Sequence, residues 1–152
     1  VVIVEDTRQQ AGKHELKHAW FAENGVELVR SKLPFGDYAL VPSVAVDTKK
    51  DMEEIAGNIC GPQHSRFINE CKAAKAAGCS LIILVENDVG ITDLQQVHNW
   101  INPRSIYSDK CVQGPRLQKA METVSERYGV QFAFCRPEES AERIIALLWG
   151  TA

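Results

Sequence analysis

The stretch GDYALVPSVAVDTKKD, Gly36 to Asp51, carries an apolar run from Ala39 to Val46 that is broken at Pro42-Ser43 and bounded by charge. Asp37 stands before the run; Asp47 and Lys49 close it. Charged side chains on segments otherwise suited to a sheet interior cost stability unless they are solvated, paired or bound to a metal. Strand side chains alternate faces, so Asp47 and Lys49 point to one side and Thr48 to the other. A hairpin turning at Pro42-Ser43 brings Asp37 close to opposite Asp47. Two carboxylates and a lysine then converge on one edge of a sheet.

That triplet has the chemistry needed for metal-assisted phosphodiester hydrolysis. Hard carboxylate oxygens suit Mg²⁺ or Mn²⁺, with water and phosphate completing the coordination. The metal polarises the phosphate and acidifies a bound water. The Lys49 ammonium can orient that water or offset charge developing on the phosphorane. The Thr48 carbonyl is a further candidate ligand, and Asp6 and Glu53 are candidates for an outer layer or a second metal. The plainer alternative is a solvated strand end followed by an acidic helix start at DTKKDMEE. The hairpin alone does not choose between the two.

With 152 residues the chain is long enough for one domain with a real core, so residues 1–152 are expected to form a single unit. A net charge of −3 excludes a global basic field, so a nucleic-acid ligand needs a local basic patch. The five cysteines are odd in number and include no CxxC pair, which excludes zinc-finger spacing and argues for reduced thiols in a cytoplasmic protein. No apolar run approaches a membrane span and no signal peptide is visible, so no membrane partner is expected.

Along the chain, VVIVED reads as a strand and HELKHAWFAENG as a helix with Leu16, Ala19, Trp20 and Glu23 at helical spacing. VELVRSKL reads as a strand, PFG as a turn, and DYALVPS and VAVDTK as two more strands. Three antiparallel strands in a meander are therefore expected after the first helix. Helices follow at DMEEIAGNIC and QHSRFINECKAAKAAG, the second with Phe67, Cys71 and Ala74 as its apolar stripe. SLIILVEN is the most hydrophobic strand and is expected to be central. DLQQVHNWI reads as a helix, NPRSIYSDKCVQG as a loop, RLQKAMETVSERYG as a helix, VQFAFC as a strand and ESAERIIALLWG as the closing helix. The order β-α-β-β-β-α-α-β-α-α-β-α predicts an α/β fold, a mixed central sheet flanked by helices.

The motifs, taken in order, resemble the XPF-type nuclease domain of the PD-(D/E)XK superfamily. GDY at Gly36–Tyr38 matches one family motif. VDTKKDME at Val46–Glu53 stands where the family carries Glu-Arg-Lys-x-x-x-Asp. DTRQ at Asp6–Gln9, SRFINE at residues 65–70, LIILVE at Leu81–Glu86 and the late helix–strand–helix also follow the family order. The resemblance covers nearly the whole chain and implies a restriction-endonuclease-like fold. It implies a metal-dependent DNA endonuclease with Asp37 and Asp47 as metal ligands, Lys49 as the catalytic lysine, and Asp6, Glu53 and Arg66 in support. Asp47 stands for the usual Glu and Thr48 for Arg. Gln9 and Glu70 replace a Glu and a Gln. The implied substrates are branched, flapped or junction-containing DNA, in repair, recombination or phage replication. Family members often carry a tandem helix-hairpin-helix domain for which this chain has no room, suggesting a stand-alone bacterial or phage-like version. The rival is a catalytically inactive DNA-binding or scaffolding member of the same fold.

Outside the hairpin, Gln63, Arg66 and Glu70 form a helical stripe in which Arg66 is assigned a phosphate contact and the other two no role. Lys50, Arg66, Lys110, Arg116 and Lys119 are the candidate DNA-contacting cations, with Arg104 and Tyr107 in the same long loop. His14 and His18 share a helix face with Lys17 nearby, most simply a solvated face. Trp149, beside Leu147 and Leu148, is the candidate contact of a homodimer.

Overall fold

The apolar segments pair into a six-stranded sheet in a computed structural model of the chain, which describes residues 2–10, 12–33, 35–40 and 44–150. The strands are β1 (Val2–Glu5), β2 (Glu27–Arg30), β3 (Tyr38–Leu40), β4 (Val44–Lys49), β5 (Ser80–Glu86) and β6 (Gln131–Cys135), ordered β2-β1-β3-β4-β5-β6. The helices are α1 (Glu15–Glu23), α2 (Met52–Cys60), α3 (His64–Ala76), α4 (Gly114–Tyr128) and α5 (Ser140–Trp149).

The expected meander is corrected here. β2 pairs parallel with β1, not with β3, because α1 carries the chain back along the sheet before β2 begins. β2 takes the outer edge, where Glu27, Val29 and Arg30 are exposed. The antiparallel set is β1, β3 and β4, and β4, β5 and β6 continue in parallel. The Pro42-Ser43 turn lies outside the described residues. β5 is buried from Leu81 to Glu86 and sits inside the sheet, one strand from its edge.

Alternation along β4 and β5 divides the interior in two. Ala45, Ile83 and Val85 pack with Ile55, Phe67, Cys71, Leu117 and Met121 from α2, α3 and α4. Val46, Ile82 and Leu84 pack with Ile3, Phe21, Tyr38, Ile144 and Leu148 on the side of α1 and α5. The α3 stripe of Phe67, Cys71 and Ala74 is buried as its spacing requires. In α1 the expected stripe fails: Leu16 is 61% exposed, and Lys17 and Phe21 are the buried residues. Lys17 turns inward because Glu86 waits for it, Nζ to Oε2 at 2.9 Å. The segment read as a helix at DLQQVHNWI is a single 3-10 turn, Gln95–Asn99, followed by another at Pro103–Ile106. Gly114 opens α4 against the first of these turns, so closely that a Cβ would lie 2.4 Å from the Val97 carbonyl oxygen.

Candidate active site

Pairing of Tyr38 with Val46 sets Asp37 opposite Asp47 on the face of α2 and α3. The Asp37 N–H donates to the Val46 carbonyl at 2.8 Å, and the Asp6 N–H donates to the Asp37 carbonyl at 2.7 Å. Three strands are therefore tied together at this point. Gly36 makes the approach feasible. It sits at φ +73°, where an added Cβ would lie 3.1 Å from the Ala45 Cβ, and its N–H donates to Glu70 Oε1 of α3 at 2.8 Å. The backbone N–H and hydroxyl of Thr48 both donate to Asp37 Oδ2, at 2.7 and 3.0 Å. Lys49 Nζ lies 3.0 Å from Asp47 Oδ2 and 5.6 Å from the centroid of the Phe67 ring.

Asp47 and Lys49 are both buried. Burial and the neighbouring Asp47 charge push the Asp37 carboxyl well above its ordinary range, while the Thr48 N–H and Lys49 work against that rise. Burial, then Asp47, raises Glu70 to about 7. Burial disfavours the Lys49 ammonium, yet Asp47, with Glu70 and Glu54 behind it, holds its pKa above that of an ordinary lysine. Asp47 Oδ2 has no hydrogen-bond partner, since the close approach of Lys49 is an ion pair outside hydrogen-bond geometry.

Opposed buried carboxylates that resist sharing negative charge are suited to a cation. Among the described residues, no three His, Cys, Asp or Glu side chains are grouped as a ready-made metal cage. An all-oxygen donor set of two carboxylates matches Mg²⁺ or Mn²⁺ chemistry, in which water and phosphate fill the remaining positions.

The ERCC4 domain family matches residues 5–148. The chain belongs to the ERCC4 domain family. No curated protein sequence matches it. Among solved structures it is similar to XPF from Aeropyrum pernix, with 18% identity and a TM-score of 0.68 over 97% of this chain and 63% of that one. It is similar to the same protein in complex with DNA at 18% identity and TM-score 0.68, over 99% of this chain and 64% of that one. The chain thus spans a little under two thirds of the structures it matches. The shared fold is that of the XPF nuclease domain, restriction-endonuclease-like, as the order of motifs implies.

Within this ERCC4 domain, Asp37, Asp47, Thr48 and Lys49 come together as the hairpin pattern requires. Asp6 is fully buried, but its carboxylate accepts from the Arg8 guanidinium and from the Leu33 N–H, which leaves it anchoring the loop before β3. Glu53 is not brought to Asp47: it is exposed and lies 3.8 Å from Arg104. The acidic side chain of α2 that Lys49 senses is Glu54, which also accepts the Lys50 N–H at 2.8 Å. Arg66 is exposed on the first turn of α3. Glu70, assigned no role from its spacing, is the α3 residue that reaches the site. Its signal was the helical offset from Phe67, whose ring faces Lys49: one turn down a helix that touches the site, the next inward polar residue faces it too. Lys50, Lys110 and Arg116 surround one cleft, and Lys119 lies on the exposed side of α4 outside it.

The opposite face of the sheet holds buried charges of its own. Glu5 meets His18 at 2.5 Å and Arg30 at 3.2 Å, so His18 is paired and not merely solvated. Glu86 accepts the Ser140 hydroxyl at 3.2 Å in addition to its ion pair with Lys17.

Proposed function

We propose that this ERCC4 domain is a Mg²⁺- or Mn²⁺-dependent DNA endonuclease. The observation that carries the reading is Asp37 opposite Asp47, both on the α3 side, with Lys49 held 3.0 Å from Asp47. Asp37, Asp47 and the Thr48 carbonyl would hold the metal, which when bound supplies Lewis-acid polarisation of the phosphate and a more acidic water. Thr48 fixes the direction of the Asp37 carboxylate through two hydrogen bonds. Lys49, kept charged by its acidic neighbours, offers its ammonium to the attacking water or to a non-bridging phosphate oxygen as charge develops there. The apolar wall of Phe67 and Cys71 keeps that ammonium from being solvated away.

The substrate is branched, flapped or junction-containing DNA, and the setting is repair, recombination or phage replication in a cytoplasmic compartment. The likeness to XPF, one structure of which is titled as a complex with DNA, supports DNA as the partner. Homodimerisation through the end of α5 rests on Trp149, which is 40% exposed. The second reading, a DNA-binding or scaffolding domain that does not cut, is favoured by the shorter Asp47 in place of the usual Glu and by the loss of Arg at Thr48.

The test is cleavage of labelled single-stranded, duplex, flap, fork and four-way-junction DNA with Mg²⁺, Mn²⁺ or EDTA. Wild type is expected to cut with metal, and Asp47→Ala and Lys49→Ala to lose at least about 10²-fold in rate. Binding without cutting by wild type would remove the endonuclease reading and leave the scaffold.

A further inference from the structure

α3 brings a third carboxylate to the site. Glu70 lies one turn beyond Phe67, whose ring centroid is 5.6 Å from Lys49 Nζ, and Cys71 beside it is fully buried. Glu70 Oε1 accepts the N–H of Gly36, the residue before Asp37, at 2.8 Å. Its charge is felt at Asp47, at Lys49 and at Arg8. Neither of those two cations cancels it. Lys49 is the ion-pair partner of Asp47 and Arg8 that of Asp6, and among the described residues no cation forms an ion pair with Glu70.

The fold has no use for that charge. Holding the Gly36 N–H requires only an oxygen acceptor, and the amide of a glutamine, a side chain of the same length, provides one. A carboxylate in its place loses hydration on burial and faces the like charge of Asp47. Asp37, Asp47 and Glu70 together stand against the single buried ammonium of Lys49. With all three acids ionised, the charge left uncompensated is that of one divalent cation. Glu70 Oε1 is tied to the turn before Asp37, and the three acids are not grouped as a ready-made cage. Its charge therefore acts from beside the direct ligands, where a carboxylate tunes cation affinity through charge count and through the waters the ion retains.

We propose that Glu70 is an outer carboxylate of the cation site, and that its negative charge, not its hydrogen bond to Gly36, sets how tightly the divalent ion is held. The assignment rests on the reading of Asp37 and Asp47 as metal ligands. In this role Glu70 touches no reacting atom and acts through the ion. The chain that shortens one ligand, at Asp47, adds a charge beside it.

The test is Mn²⁺ binding to the full chain without DNA, followed by loss of the free-ion EPR signal. It is run at about pH 8, where a carboxyl raised to about 7 is ionised. Two variants separate charge from hydrogen bonding. Glu70→Gln keeps an acceptor for Gly36 and removes the charge; it is expected to weaken Mn²⁺ binding about 10- to 100-fold. Glu70→Asp keeps the charge and shortens the reach to Gly36, and its loss is expected to be smaller. Melting in EDTA, read by circular dichroism, establishes that each variant is folded before its affinity is compared. A Glu70→Gln variant that binds Mn²⁺ as wild type does, or a Glu70→Asp variant that loses more than Glu70→Gln, would overturn the proposal while leaving Asp37 and Asp47 as ligands. A wild type that binds no Mn²⁺ removes it together with the metal-site reading. A wild type whose Mn²⁺ affinity depends on the Glu70 charge, yet which never cuts DNA, upholds the assignment and removes only the endonuclease.

Discussion

Asp37 and Asp47 carry a stability cost that the proposed metal would offset. Each lies in the other's field, and burial denies both the solvation that would screen it. Asp37→Asn is therefore expected to raise the melting temperature of the metal-free protein while abolishing any shift on adding Mn²⁺; a variant that melts lower in EDTA would contradict this. Glu70 gives a pH dependence of determined sign. Its folded pKa of about 7 lies above the unfolded value, so the folded state binds the extra proton, as it does at Asp37. The resulting stability is full below the ordinary carboxylate range and is lost as pH rises to about 7, a loss of about 3 kcal/mol at most from Glu70. Thermal unfolding in EDTA between pH 5 and 8 should follow that decline, and Glu70→Gln should flatten it. A wild type whose stability rises over the same range would show that the site carboxylates do not bind protons this way.

At the scale of elements, one glycine fixes what its neighbours can do. Gly36→Ala would force a side chain into the left-handed region and against Ala45, displacing Asp37 from Asp47. A cost of about 1–3 kcal/mol is expected, with loss of metal response out of proportion to it, read by denaturant unfolding and metal titration. Much of the local structure was legible because periodicity and punctuation agreed: the α3 stripe, the apolar β5, and the Gly that precedes Asp37. α1 was misread because Leu16, Ala19 and Trp20 carry its hydrophobic spacing, whereas the buried face is set by Lys17 and its acidic partner. No helical period announces a lysine that is pulled inward by a glutamate on a strand it has not yet met. The 95–99 turn was misread for a related reason: its Val97 and Trp100 are buried by Gly114 and α4, not by a helix of their own.

For the whole molecule, the sheet order was the least legible feature, since β1 and β2 lie parallel only through packing of α1, and pairing preferences do not encode that. Charge is buried on both faces of the interior strands of the sheet. Lys17→Met leaves Glu86 buried beside a serine alone and is expected to cost about 3–5 kcal/mol, whereas adding Glu86→Leu should restore most of it. Equilibrium unfolding of the single and double variants decides this, and equal loss in both would exclude the ion pair as the cause. The parallel seam between β4 and β5 also has a bearing on the protein's own synthesis. Asp47 sits opposite Ile83, and β4 is gripped between β3 and β5. A nascent chain released before Ser80 would carry every residue of the site but lack one of the two strands that hold Asp47 in register. The geometry proposed for metal binding is therefore complete only once β5 has been made, at residue 86 of 152.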